Sequence, residues 1–297
     1  LYGAFISKQV DVLLSNSIED TLRYSLNLLS KEKDIQENKS APIEISFISL
    51  RTNKIPLNNI DIRLAIAKSL NRELIRNKVS FSLRNSATSL IPLIFKKDNS
   101  VSWPDFDPKE SKRIFKEQGY CDGNVFNLPL TYRSNVPTDK LIAFYWQQSV
   151  KAEMKDCFSI SINGVESTTI YKNLSEGIYP SVILDWTGAY SDPEAYLSPL
   201  LSCEKFILNN CLKGESVFSG SFWASEKVEK LFKESENVEG VERLNKLLEI
   251  EKIASKSLPY VPIWASSQKA WAQKYISKPV FNGAGIINMS ELVRNEK

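Results

Sequence analysis

The sequence predicts an α/β protein in which the central strands run parallel. From Val125 onward, strand patterns alternate with amphipathic helical patterns, and a strand-helix-strand order is typical of parallel pairing with right-handed crossovers. The 297 residues are 42% hydrophobic and 25% charged, which is the composition of a folded globular protein with a sizeable core. A chain of this length predicts about two domains.

The first third of the chain contains short predicted strands and one strong helix. The alternation in PIEISFISL, residues 42–50, is typical of a half-buried strand. Ile62, Ile66 and Leu70 recur at helical spacing after the polar pair Asn58-Asn59, which offers a cap. The predicted elements are a strand-like run from residue 5 with a strand at 9–14, a helix at 18–29, a polar loop at 31–40, a strand at 42–50, a helix at 58–74 and an irregular stretch at 80–104.

The middle and the end of the chain alternate more regularly. Asp107 and Pro108 form a typical helix start, and Gly119 is a typical helix stop. Pro259 and Pro262 bracket a short apolar strand. The predicted elements are a helix from 107 to 119, a strand at 125–132, a helix at 138–154, a strand at 157–162, a helix at 167–174, a strand at 182–184, two helices containing Leu231 and Leu244, a strand at 260–264, and strands and loops over 269–276 and 281–287.

The stretch 180–201 organises the rest of the chain. Its buried strand ends near Asp185 and Trp186, and the small-residue turn Thr187-Gly188-Ala189 follows. The segment 191–194, Ser-Asp-Pro-Glu, then starts a helix, with Asp192 as a possible capping residue. Open α/β sheets bind ligands at the carboxyl ends of their strands. The sequence therefore predicts a ligand site here, without identifying the ligand.

Composition excludes several classes of function. The formal charge of +3 and the isoelectric point near 8.5 are too mild for a nucleic-acid-binding protein, and the lysines alternate with acids, as on solvated helix faces. No apolar run approaches the ~18 residues of a membrane span. Histidine is absent, which removes the commonest metal ligand and most Ser-His and Cys-His mechanisms. We expect no metal and no cofactor.

The four cysteines leave several arrangements open. They stand at positions 121, 157, 203 and 211, without the CxxC spacing typical of zinc sites. Cys203 and Cys211 flank a short segment and could close a small disulfide, and Cys121 would then pair with Cys157. Four cysteines permit three connectivities. Four buried free thiols are the alternative, because an oxidising compartment is itself an inference.

Four segments, in the same order, resemble one family of proteins. Asn71 stands where the first motif has its second aspartate. The segments are 57–74, similar to a D-x-R-x-A…A-x-D-R helix, 107–123, similar to a helix ending in G-Y-x-D-G, 184–197, similar to W-x-x-x-Y-x-D-P-x-x-F/Y-L, and 243–263, similar to a closing helix followed by P-x-x-P-I/L. Together they resemble the family-5 extracellular solute-binding proteins of ABC transporters.

The resemblance implies a fold and a location. The fold is the clamshell of type II periplasmic binding proteins, with residues 76–264 as a complete ligand-facing α/β lobe. Residues 1–75 are then the later part of the first lobe, and 265–297 return to it. The family's N-terminal third would precede Leu1. A periplasmic or other extracytoplasmic location follows, with a lipid anchor on the preceding segment as one expectation.

The resemblance also implies a function without catalysis. The protein would capture a small solute, such as a peptide, a chelated metal or a glycoside, and pass it as a monomer to a membrane permease. One alternative is a sensory or interaction module that has kept the receptor lobe without transport. A hydrolase is the other alternative, because paired carboxylates could meet in space, although neither G-x-S-x-G nor a phosphate loop is present.

The resemblance assigns ligand-binding roles to residues near two strand ends. Arg133 corresponds to an arginine that pairs with a peptide carboxylate in dipeptide-binding members, and its alternative is a surface arginine. Ala189 stands where peptide-binding relatives commonly carry an aspartate for the α-amino group, so a ligand with a free amino group lacks its usual partner. Trp186 and Tyr190 are expected to form flat pocket walls, with core packing as the alternative. The remaining candidates are Thr187, Gly188 and Asp192, of which Asp192 is more typical of a helix cap.

Overall fold

A computed structural model describes the chain over residues 1–32, 35–96 and 102–295. The helices are α1 (Tyr2–Ile6), α2 (Asp20–Lys31), α3 (Ile60–Lys68), α4 (Arg72–Ser80), α5 (Pro108–Glu117), α6 (Pro137–Met154), α7 (Ser167–Asn173), α8 (Glu194–Leu201), α9 (Glu215–Phe218), α10 (Glu226–Ser235) and α11 (Gly240–Ser257). The strands are β1 (Val12–Leu14), β2 (Ile35–Leu50), β3 (Asn85–Ser86), β4 (Phe126–Arg133), β5 (Phe158–Val165), β6 (Ser181–Thr187), β7 (Lys205–Ile207), β8 (Asn210–Lys213) and β9 (Tyr260–Gln273). Short 3-10 turns lie at Ser15–Ser17, Leu93–Phe95, Leu174–Glu176 and Met289–Glu291.

The main sheet has the strand order β1-β9-β2-β6-β4-β5, and β3 is a further partner of β9. β4 pairs in parallel with both β5 and β6, so the parallel pairing predicted for this part of the chain is confirmed. Helices α6 and α7 form the crossovers that such pairing requires. β2 is antiparallel to β6 and to β9. The carboxyl ends of β4 and β6 therefore meet at the same end of the sheet.

Strand β2 is longer than the sequence predicts. It begins at Ile35, inside the stretch predicted as a polar loop, so that prediction is wrong for residues 35–40. Gln36 and Lys39 pair with residues of β9 while their side chains remain partly or fully exposed. Such a strand tolerates polar side chains because its hydrogen bonds to the neighbouring strand are made by the backbone alone. Residues 33–34 of the predicted loop lie outside the described residues.

The helix predicted at 58–74 is two helices, α3 and α4, so the prediction of one continuous helix is wrong. The Ser69 hydroxyl donates to the carbonyl of Ile66, 2.7 Å away, at the end of α3. The side chain of Asn71 then accepts from the backbone N–H of Leu74, 2.9 Å away, and caps the start of α4. Capping side chains favour a new helix start over continuation of the old helix.

Among the described residues, apolar side chains form a large core and a small core around the sheet, and a third cluster lies at the Cys203–Cys211 hairpin. The large core joins the middle of the sheet to most helices, including α3, α6, α8 and α11. The small core joins α1, β1 and α2 to the first residues of β2 and the last residues of β9. The strand-like run predicted from Phe5 is wrong at that residue, which lies on α1 with its ring fully buried. The members of the small core are Phe5, Leu13, Leu26, Ile35 and Trp271.

Two disulfides tie local segments together. Cys121, just after α5, is bonded to Cys157, just before β5. Cys203 is bonded to Cys211 and closes the β7-β8 hairpin. The structure therefore selects this connectivity among the three, and it contains no free cysteine in the part of the chain that it describes.

Candidate functional site

Arg133, the last residue of β4, lies at the centre of a buried ion-pair cluster. Its Nε and Nη2 atoms donate to the Asp139 carboxylate at 2.7 and 3.1 Å. Its Nη1 and Nη2 atoms donate to the Asp185 carboxylate at 3.0 and 2.6 Å. Nη1 also donates to the Tyr171 hydroxyl at 3.2 Å. A guanidinium has five N–H donors, so each donor of Arg133 already has an acceptor within the protein.

The fold explains why these groups meet. Asp139 lies in the first turn of α6, which begins at Pro137 directly after β4. Asp185 lies near the end of β6, and the parallel neighbour β4 ends beside it. Tyr171 projects from α7, the crossover helix that leads to β6. A strand end, a helix start and a crossover helix therefore surround one guanidinium.

Burial sets the electrostatics of this cluster. Although burial acts in the opposite direction, the hydrogen bonds from Arg133 to Asp185 and Asp139 raise the pKa of Arg133 above its ordinary value. Burial raises the pKa of Asp139 to about 6, although its bonds with Arg133 act to lower it. Arg133 therefore stays positively charged, and Asp139 is a carboxyl that protonates more readily than usual.

Trp186 lines a hollow, here called the Trp186 hollow, of about 140 Å³. The indole is half-buried, and its Nε1 donates to the carbonyl of Ala195 at 2.7 Å. Arg133 does not line this hollow, but two of its partners do. The residues that line the hollow are Phe47, Tyr171, Leu174, Leu184, Asp185, Trp186, Pro199, Leu200, Glu215, Phe218 and Ser219.

Thr187 lines a different hollow, here called the Thr187 hollow, of about 260 Å³. Trp186 and Thr187 are neighbours on β6, but they line different cavities. The Thr187 hollow also contains Ile43, Lys269 and Phe281, the last from the segment after β9. The predicted site residues therefore divide between two cavities at the end of β6.

The turn after β6 contains one buried residue, Gly188, followed by two exposed residues, Ala189 and Tyr190. A Cβ atom on Gly188 would come within 2.7 Å of the ring of Tyr196, so the close approach of α8 requires glycine there. Ala189 and Tyr190 are exposed. Neither contributes to a cavity wall described above, and both remain available to a ligand held against this turn.

Asp192 bonds to the backbone at the start of α8, one residue before the N-cap position, which Pro193 occupies. Its Oδ1 atom accepts from the backbone N–H of Glu194 at 2.8 Å. Its Oδ2 atom accepts from Nη1 of Arg243, at the start of α11, at 2.6 Å. Glu194 is a second acceptor for Arg243. Asp192 therefore ties the turn to α8 and α11.

Glu44 is a functional candidate that the sequence alone did not indicate. It lies on β2 directly opposite Thr187 of β6, two residues from the position that faces Asp185. Burial and then the neighbouring charge of Asp185 raise the pKa of Glu44, while Arg84 and Arg23 act to lower it. The alternation of residues 42–50 indicated the strand, but not that Glu44 would pair with β6 near Asp185. Among the described residues, no group of three or more Cys, Asp or Glu side chains is arranged to hold a metal ion.

Solved structures share this fold across the whole described chain. The dipeptide-binding protein of Pseudoalteromonas sp. SM9913, solved with Met-Leu, matches with a TM-score of 0.78 and 20% identity, covering 99% of this chain and 55% of its own. NikA of Brucella suis, solved with Fe(III)-EDTA, matches with a TM-score of 0.80 and 18% identity, covering 99% and 59%. These matches confirm the predicted fold class, the α/β fold of periplasmic binding proteins, of which this chain covers a part.

This chain resembles only a part of each related protein. The peptide transport periplasmic protein SapA of Salmonella typhimurium is 22% identical over 260 residues, which are 84% of this chain and 44% of SapA. A dipeptide-binding protein of Pseudomonas aeruginosa is 21% identical over 244 residues, 80% of this chain and 43% of the relative. The chain thus spans less than half the length of these relatives.

The family itself is identified by a model of its middle region. The model of the bacterial extracellular solute-binding proteins, family 5, matches residues 2–206. That match extends from α1 to β7 and includes Arg133 and the turn after β6. The chain therefore belongs to family 5 of the bacterial extracellular solute-binding proteins.

Proposed function

We propose that this protein is the substrate-binding component of an ABC importer, which captures a small peptide-like solute and delivers it to a membrane permease. The observation that carries this proposal is the membership of family 5, whose members are binding proteins. The position of the Trp186 hollow at the carboxyl ends of parallel strands supports it, because open α/β sheets bind ligands there. Capture without chemical change is part of the proposal.

The proposed location is the periplasm. The names of SapA and of its Escherichia coli counterpart describe periplasmic proteins. Among the described residues, none of the helices combines the length and the apolar character needed to cross a membrane. The two disulfides also fit an oxidising compartment. A lipid anchor and a monomeric state remain predictions.

The large core and the small core around the sheet support a proposed division into lobes. β2 and β9 take part in both, since Ile45 and Ile263 belong to the large core and Ile35 and Trp271 to the small one. We therefore place the lobe boundary within these two paired strands. Helix α3 then belongs to the larger lobe, because its apolar face packs in the large core.

Ligand contacts are proposed at the end of β6. Trp186 and Thr187 each line a cavity, and Ala189 and Tyr190 are exposed on the turn that follows. Arg133 acts as a positioning residue in this proposal. Its fork fixes the Asp185 carboxylate at the rim of the Trp186 hollow.

A thermal-shift experiment on the full-length protein tests the function. A panel of dipeptides, tripeptides and glutathione is added at increasing concentration, and each mixture is analysed for intact ligand. A ligand that binds only the folded state adds about 2.7 kcal/mol of stability at 100 times its Kd. We expect at least one panel member to raise Tm in this concentration-dependent way and to be recovered unchanged. Conversion of a panel member to a product, or no shift with any of them, would contradict the proposal.

A further inference from the structure

We propose that the Trp186 hollow selects a ligand group made of a short apolar stem that ends in a cation, such as an arylalkylammonium or alkylammonium group. This inference rests on the proposed function and specifies the chemistry of one part of the same site. It depends on three observations: the apolar walls of the hollow, the two acids that line it, and the hydrogen bonds that occupy every N–H donor of Arg133.

The walls of the hollow suit one small apolar group. Phe47, Leu184 and Trp186 contribute from the sheet, and Pro199 and Phe218 contribute from α8 and α9. The volume of about 140 Å³ is close to the ~150 Å³ of a cavity that holds one benzene ring. The hollow can therefore take a single aromatic ring or a short aliphatic stem.

The charged residues that line the hollow are acids. Asp185 and Glu215 are its two charged lining residues, and no lysine or arginine joins them in the described part of the chain. The Glu215 side chain is exposed and makes no ion pair or hydrogen bond with another described residue. A carboxylate has about four lone-pair positions, and Asp185 uses two of them for Arg133. Both acids can therefore accept hydrogen bonds from a cation.

Arg133 does not cancel this negative charge. Its single positive charge is shared between Asp139 and Asp185, and each of its N–H donors is occupied. An anionic ligand group would find no free donor on Arg133 and would be repelled by the rim, whereas a cation would be attracted. The preference for a cation therefore follows from geometry and charge together.

Three probes that differ by no more than one non-hydrogen atom test the inference on the full-length protein. 2-Phenylethylamine, 2-phenylethanol and phenylacetate differ in charge but share the ring, and their Kd values are measured by NMR titration. We expect the amine to bind about tenfold more tightly than either of the others. We expect 0.5 M NaCl to reduce this preference, because salt screens exposed charges.

Substitutions locate the site. Glu215→Gln should weaken the amine by about twofold to fivefold, since an exposed ion pair contributes little, and should leave the alcohol unchanged. Glu226→Gln is the matched control, because it also removes an exposed carboxylate from the first turn of a helix. Phe218→Ala, at an exposed wall residue, should weaken all three probes by similar factors.

Two results would overturn the inference. One is binding of the alcohol or phenylacetate as tight as that of the amine, and the other is an identical effect of Glu215→Gln and Glu226→Gln on the amine. If peptides still raise Tm in either case, the inference is wrong and the proposed function stands. If neither peptides nor any of the three probes bind, both are wrong.

Discussion

The Asp185 carboxylate accepts two hydrogen bonds from the guanidinium of Arg133, at 2.6 and 3.0 Å, across 52 positions of sequence. The same guanidinium forms a second two-point contact with Asp139. Planar forks of this kind fix orientation as well as charge. Arg133 thus orders two carboxylates of different exposure, one within the protein and one at the rim of the Trp186 hollow.

The two carboxylates should differ in their contribution to stability. Asp139→Ala should lower the free energy of unfolding by about 3–5 kcal/mol, because it leaves buried donors of Arg133 without an acceptor. Asp185→Ala should cost only about 1–2 kcal/mol, because solvent reaches a side chain that is 35% exposed, against 5% for Asp139. Urea unfolding at neutral pH measures both. An equal or larger loss for Asp185→Ala would contradict this view of the cluster.

Glu44 should make stability depend on pH. Burial and Asp185 raise its pKa above the ordinary 4.5, so the folded chain holds this proton to higher pH than the unfolded chain does. The resulting contribution is fully present below pH 4.5 and is lost as the pH rises through the raised pKa. Glu44→Gln should therefore increase stability at pH 7 and flatten the pH dependence above 4.5. The measurement is the free energy of unfolding in urea at a series of pH values. If it changes with pH in the same way in the original protein and in Glu44→Gln, Glu44 does not titrate in this way.

A buried acid should hold the loop 89–96 in place. The fully buried carboxylate of Glu251 accepts from the Ser89 hydroxyl at 2.6 Å, from the N–H groups of Leu90 and Ile91 at 3.0 and 3.1 Å, and from the buried Lys96. Glu251→Ala should cost about 3–5 kcal/mol, since it leaves a buried ammonium without its partner.

An exposed acid on the same helix provides the control for Glu251. Glu249 pairs with Lys227 at 2.6 Å, and both side chains are largely exposed. Glu249→Ala should cost less than about 1 kcal/mol. Similar losses in the two variants, measured by urea unfolding, would mean that the Lys96–Glu251 pair is not stabilising.

The two disulfides should differ because they close loops of different length. Cys121 and Cys157 are 36 positions apart, and Cys203 and Cys211 are 8 apart. The chain-entropy relation predicts about 3–4 kcal/mol for the longer loop and about 2–3 kcal/mol for the shorter one. Double Cys→Ser variants of each pair, compared by urea unfolding, measure the difference. A larger loss from the Cys203–Cys211 pair would contradict loop closure as the cause.

Local patterns predicted much of the fold. The stripe of Ile142, Trp146 and Val150 indicated a helix over 138–154, and α6 spans Pro137–Met154 with all three side chains buried. The first half of β2 escaped prediction because its stability comes from pairing with β9, more than two hundred positions away. Hydrophobic periodicity carries no information about such backbone pairing when the side chains are polar.

In the candidate site, too, contacts between sequence neighbours could be predicted, whereas contacts between residues far apart in the sequence could not. The residues around Asp192 predict that its side chain bonds to the start of a helix, and it accepts from the N–H of Glu194, the first residue of α8. The partnership of Arg133 with Asp185 depends on how β4 and β6 align in three dimensions. The sequence placed both residues at strand ends, but it did not indicate that the arginine's donors would be occupied within the protein.

The central claim is that this protein holds a solute and does not transform it. Native mass spectrometry of the full-length protein, purified from its own cells, tests this most directly. We predict a complex heavier than the denatured protein by the mass of one small molecule, which is released intact on gentle activation. A protein that carries no such molecule and binds none of the supplied peptides, or one that releases a cleaved product, would contradict the account.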